Sequence, residues 1–269
     1  MIEIIHDPVQ VGSPRIRFAV FDMDGTLSLI REGWPQVMTD AMLAELLSAP
    51  QRESESELRR FVGDLITQTT GQTTSYQMKC LADEVGKRGG QPEDASIYKK
   101  RYLARLGARI DQRVAALQSG EISPDEMMVP GSREILEAMR ALGVRCYLVS
   151  GTYEPFVLEE ADALKIAHYF GGIYGGQDDP ARFSKRLFMQ NLRDSYLLEG
   201  REVVSLGDGI TEIKEAKQSG AIAVGVASNE TTRAGIDENK RQRLIEAGAD
   251  IIVPDFREYK ELIAHLFSA

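Results

Sequence analysis

The chain has 269 residues, 43% hydrophobic and 27% charged, with 41 acidic against 32 basic side chains and a net charge of -9. That suits a globular chain with a sizeable core, as one large domain or a core with a smaller companion. The acidic balance disfavours broad nucleic-acid or anionic-membrane binding, and no apolar run approaches the roughly 18 residues of a membrane-spanning helix.

The opening, MIEIIHDPVQ, carries acids early and lacks the basic and apolar blocks of a secretory leader, so a cytoplasmic protein is expected. Residues 16–21, IRFAVF, read as a short buried strand. The strand ends on Asp22, Asp24, Gly25 and Thr26. Alone, such a pair of aspartates before glycine is a common capped turn.

Residues 30–125 contain no convincing strand. Amphipathic helices are expected over 35–48, 55–67, 74–87 and 93–118, with Leu58, Phe61, Val62, Leu65 and Ile66 at helical spacing in the second. The joints of this segment fall at 27–32 and in the turn-rich stretch 119–132. The polar stretch TTGQTTSYQ (69–77) breaks the helical pattern and is expected to face a site.

The remainder alternates. Strands are expected at 144–149, 202–206, 221–226 and 250–253, and helices at 131–142, 154–164, 184–199, 211–219, 231–247 and 256–267. This predicts an α/β fold: a Rossmann-like parallel sheet core from residues 1–29 and 126–269, carrying an inserted α-helical domain of residues 30–125. Cys80 and Cys146 lack CxxC spacing, and Cys146 reads as a buried thiol. His6, His168 and His265 are scattered, which argues against a zinc site or a histidine triad.

In a parallel α/β sheet, ligands bind beyond the carboxyl ends of the strands. Those ends carry Asp22 and Asp24 after the first strand, Ser150, Gly151 and Thr152 after the second, and Asp208 with Glu212 after the third. Lys185 opens the helix 184–199.

With DMDGT (22–26), LVSGT (148–152), Lys185 in FSKRLF and GDGITE (207–212), the chain resembles the haloacid dehalogenase-like phosphohydrolase superfamily, in its phosphoglycolate phosphatase and β-phosphoglucomutase-like branch. The insertion point of the helical segment resembles that of the family's type 1 cap. The resemblance implies a Mg2+-dependent phosphatase of a small phosphorylated metabolite, with Asp22 as nucleophile and Asp24 as general acid and base. Ser150, Gly151 and Thr152 would bind phosphate, and Lys185 would offset charge on the nucleophile. Asp22, Asp24 through its carbonyl, Asp208 and Glu212 would hold the metal. Glu212 stands where the family commonly has aspartate, and helix electrostatics alone also accounts for an acid there. Lys185 lacks the family's neighbouring proline, so Arg182 and Arg186 compete with it; its interval before Asp208 favours it. Gly71, Gln72 and Trp34 are the substrate-contact candidates, Trp34 also fitting the cap core. A phosphomutase of the same superfamily and a non-catalytic phosphometabolite-binding module are the alternatives. No obligate protein partner is inferred.

Overall fold

A computed structural model describes residues 1–7, 15–50, 52–177 and 183–267. Arg182 lies outside them. Among the described residues, the chain runs β1 (Glu3–Ile4), β2 (Phe18–Phe21), α1 (Trp34–Leu47), α2 (Glu55–Thr69), α3 (Thr74–Lys87), α4 (Ala95–Ser119), α5 (Ser132–Ala141), β3 (Arg145–Tyr153), α6 (Glu154–Ala163) and β4 (Phe170–Gly176). It continues with α7 (Lys185–Tyr196), β5 (Val203–Gly207), α8 (Ile210–Gln218), β6 (Ile222–Val226), α9 (Glu238–Ala247), β7 (Ile251–Val253) and α10 (Tyr259–Phe267).

The seven strands form one sheet in the order β1-β7-β6-β5-β2-β3-β4. All pairings are parallel except β1 on β7. β2 lies centrally, with Phe21 level with Leu148 of β3 and Leu206 of β5. The chain leaves β2 to build one side of the sheet and returns to build the other, so β2 is the topological switch point.

All four residues of β2 are buried because both sheet faces are covered. Ala19 and Phe21 join the cluster holding Ile135 of α5, Val157 of α6 and Leu262 of α10. Phe18 and Val20 point the other way, towards Met189 of α7, Ile213 of α8 and Leu244 of α9. The first cluster continues through Met23, Leu27 and Ile30 into Met38, Met42 and Leu46 of α1.

Helices α1–α4 stand between β2 and α5, without a strand among them. The two chain crossings that lead into and out of this segment are hydrogen-bonded to each other. Leu29 N–H donates to Met127 O (2.8 Å) and Val129 N–H to Leu27 O (3.0 Å), making a short antiparallel ribbon. Arg113 of α4 reinforces it by donating to Ile30 O at 2.6 Å.

Three elements differ from expectation. β4, FGGIYGG, is a strand that its four glycines conceal, since glycine has low strand propensity. β1 is two residues long and reads as terminus; Glu3 anchors it by a bidentate pair with Arg241, at 2.7 Å from Nη2 and 2.8 Å from Nε. α9 begins at Glu238, not 231, because Asp237 caps it, its side chain accepting from Lys240 N–H at 3.0 Å. Among the described residues no helix is long and apolar enough to cross a membrane.

Candidate active site

Asp22 follows β2 directly, and its N–H is held by Leu206 O at 2.9 Å. The chain then turns tightly, with Leu27 and Ser28 N–H both donating to Met23 O at 2.9 Å. Gly25 makes the turn possible. Its φ is +72°, and a Cβ there would stand 2.3 Å from Asp208 Oδ2. Asp22 and Asp24 are two positions apart, a spacing that shares one face of a strand, and the turn keeps both on the same cavity.

Asp24 Oδ2 accepts the Thr152 hydroxyl at 2.8 Å, which links the ends of β2 and β3. Its Oδ1 is buried without a hydrogen bond, and Arg31 Nε lies 3.7 Å away. Burial raises the Asp24 carboxyl above its ordinary value, against the lowering effect of Arg31. Arg31 is itself committed to Glu160 of α6, at 2.5 Å from Nη2 and 3.2 Å from Nε. Burial pushes Glu160 up to about 7 despite that partner.

Lys185 is buried behind Asp22. Its Nζ donates to Asp22 Oδ1 at 2.6 Å and to Glu212 Oε1. Burial opposes the charge on Lys185, but the Asp22 and Glu212 carboxylates outweigh it and raise its pKa. Burial also raises Asp22 well above the usual carboxylate range; Lys185 opposes this and the charges of Glu212 and Asp208 add to it.

Asp22, Asp24 and Asp208, with Ser150, Gly151 and Thr152, line one side of a cavity of about 60 Å3. Arg31, Trp34, Gly71, Gln72, Gln77 and Tyr102 are among the residues lining the rest. All three substrate-contact candidates therefore reach the cavity wall. Lys185 and Glu212 do not; with Asp22 they line a separate void of about 10 Å3.

The loop carrying Gly71 sits down on the core. Gln72 Nε2 donates to Thr211 Oγ1 at 3.3 Å, and a Cβ on Gly151 would meet Gln72 O at 2.5 Å. Gly71 has φ +88°, and a Cβ there would lie 2.3 and 2.4 Å from the two Glu212 carboxylate oxygens. Gly71→Ala is therefore expected to lower stability by about 1–2 kcal/mol through left-handed strain and to lift the loop from Glu212. A melting curve and a kcat/KM measurement check this; unchanged values in both would show that the loop tolerates a methyl group.

Reading by motif missed Lys240 and Glu230. Lys240 Nζ donates to Asp208 Oδ2 at 2.7 Å and to Glu230 Oε1 at 2.6 Å. Lys240 lies in NKRQR, which reads as a solvated helix face. Arg31 and Glu160 were missed as a pair for the same lack of signal: they are 129 positions apart.

Among the described residues, no group of three or more His, Cys, Asp and Glu side chains is gathered closely enough to hold a metal ion alone. A hard cation that keeps several waters needs fewer side-chain ligands, and the cavity offers carboxylates of the right kind in Asp22 and Asp208. The donor chemistry thus fits. Glu212 lines the neighbouring void with Asp22 and Lys185, and its Oε1 accepts from Lys185. Its Oε2 is buried without a hydrogen-bond partner, in the quarter where Gly71 and Gly209 approach.

A family model of haloacid dehalogenase-like hydrolases matches residues 16–220. The chain is 25% identical over 207 residues to a 5'-nucleotidase of Pseudomonas aeruginosa, covering 77% of this chain and 80% of that one. It is 25% identical over 252 residues to a phosphoglycolate phosphatase of Pseudomonas savastanoi, covering 89% and 84%. A predicted phosphoglycolate phosphatase from Haemophilus somnus has a similar fold, with a TM-score of 0.62 at 20% identity over 94% of this chain and all of that one.

Proposed function

The chain belongs to the haloacid dehalogenase-like hydrolases, and from that premise we propose that it is a Mg2+-dependent phosphatase acting on a small phosphorylated metabolite. The observation that carries this reading is the convergence of three strand ends on one cavity, with the Thr152 hydroxyl tying Asp24 to the phosphate-binding turn.

Ser150, Gly151 and Thr152 hold the phosphate oxygens. Lys185 takes Asp22 Oδ1, which leaves Oδ2 as the attacking oxygen. Asp22 attacks phosphorus, the bond to the leaving oxygen breaks, and Asp24 gives that oxygen its proton. The rise that burial imposes on Asp24 suits a group that starts protonated. Asp24 then takes a proton from water, which attacks the aspartyl-phosphate and frees phosphate and Asp22. A divalent cation held by Asp22, Asp208 and the Asp24 main-chain carbonyl supplies, when bound, the positive charge that lets a phosphate dianion approach carboxylates.

Residues 30–125 act as a cap over a core of residues 1–29 and 126–269. Trp34, Gly71 and Gln72 face the substrate from the cap side and exclude water. The names of the relatives direct the choice of substrates to try, nucleoside monophosphates and phosphoglycolate, and sugar phosphates are added to test the phosphomutase alternative.

The test is phosphate release from that panel and from p-nitrophenyl phosphate, with Mg2+ and with a chelator. Chelation is expected to lower the rate by about 100-fold or more, and added Mg2+ to restore it. Equal rates in both conditions would remove the metal from the reading. Sugar-phosphate isomerisation without phosphate release would replace it with a phosphomutase.

A further inference from the structure

Lys240 lies in the first turn of α9 and reaches Asp208 from outside the group of residues that line the cavity. Its backbone is fixed: Asp237 caps it, and the next residue, Arg241, is pinned to β1 by Glu3. From that root the ammonium reaches two carboxylates, Asp208 and Glu230, and comes within 3.4 Å of Ser228 Oγ. The Ser228 hydroxyl donates in turn to Gly25 O at 2.6 Å. Lys240, Asp208 and Glu230 are all largely buried, with side chains 11%, 9% and 17% exposed.

This arrangement restricts Asp208 on two sides. Lys240 holds Oδ2 from α9, and the backbone of Gly25 stands where no larger residue would fit beside that same oxygen. Only one oxygen of Asp208 stays clear of the lysine. A lone buried lysine beside a metal ligand would also repel a cation. Glu230 offsets that: the Lys240–Glu230 pair is neutral in sum, so Asp208 keeps its full negative charge.

We propose that Lys240 is a positioning residue that fixes Asp208 for the divalent cation, and that Glu230 holds Lys240 in place without reducing the negative charge of the site. The proposal rests on the metal reading given above. Neighbours that orient metal ligands alter affinity by about 10–100-fold when removed.

The test is Mg2+ binding to the full chain by titration calorimetry, which does not depend on turnover. The double variant Lys240→Met/Glu230→Gln removes one charge of each sign, so the charge around Asp208 is unchanged. It is expected to bind Mg2+ at least about tenfold more weakly than the unaltered protein. Affinity within about twofold, or tighter, overturns the positioning role. If the double variant does not fold, Lys240→Met alone decides. Loss of a positive charge by itself strengthens cation binding, so weaker binding supports the proposal and stronger binding overturns it. Absence of Mg2+ binding to the unaltered protein overturns the metal reading and this proposal with it, whereas normal binding there with unchanged binding in the variants overturns the Lys240 proposal alone.

Discussion

Asp22→Asn is expected to lower phosphate release by at least about 10^4-fold while the chain stays folded. The amide is nearly isosteric with the carboxylate but does not form the aspartyl-phosphate. Stability is not expected to suffer. Burial and the like charges of Glu212 and Asp208 already disfavour the ionised Asp22, and Lys185 keeps Glu212 as a partner after the exchange. The variant's melting temperature should therefore equal or exceed that of the unaltered protein. Single-turnover phosphate release and a melting curve on the same preparation check both halves. Activity near that of the unaltered chain would remove Asp22 as the nucleophile.

The second large effect concerns stability. Glu160→Ala leaves Arg31 buried with only Asp24 nearby, at 3.7 Å, and its guanidinium 5.5 Å from the Phe156 ring centre. Breaking a buried pair from one side costs about 3–5 kcal/mol, and most of that should return in Arg31→Met/Glu160→Met, where neither charge remains. Chemical denaturation at pH 8, where Glu160 is ionised, measures both. A loss below about 1 kcal/mol would mean water reaches the pair and screens it.

The same pair sets a pH dependence. Glu160 is pushed from 4.5 up to about 7 in the folded protein, chiefly by burial. Folded Glu160 thus keeps a proton that the unfolded chain has released. Its contribution to stability is fully present below about pH 4.5 and declines as pH rises through about 7. In Glu160→Gln that decline should be absent, so it appears in full as the difference between the two pH-stability curves. A decline of unchanged size in the variant would assign it to other groups.

Much of the sheet was legible because β2, β5, β6 and β7 are continuous apolar runs, as strands covered on both faces must be. β4 was not, since its glycines contribute backbone pairing and almost no side-chain pattern. The start of α9 differs because residues 229–236 (NETTRAGI) run on into the helical pattern in sequence, while the structure breaks the chain at Gly235 (φ +75°) before the Asp237 cap. Asp22, Asp24, Ser150, Gly151, Thr152 and Asp208 could be grouped from sequence because each lies at or just beyond the carboxyl end of a strand, and parallel strands end on one edge. Glu212 was grouped with them by the same logic, and it shares Lys185 as a partner with Asp22. Ion pairs such as Arg31–Glu160 and Lys240–Asp208 join elements distant in the chain, and local patterning contains no signal for them.

The paired crossings at Leu27–Leu29 and Met127–Val129 also govern how the helical segment can move. Two separate single-chain links would act as a loose tether with freedom to swivel. A two-stranded ribbon with ladder hydrogen bonds instead behaves like a leaf spring: it flexes across its flat face and resists shear along its length, because a one-residue slip would break the Leu29–Met127 and Val129–Leu27 hydrogen bonds and put the buried Ser28 where the apolar Leu27 and Leu29 pack. The first leaf of that spring runs directly into the Met23–Ser28 turn beside Asp24. The chain that ties α1–α4 to the sheet is thus continuous with the turn that sets Asp24.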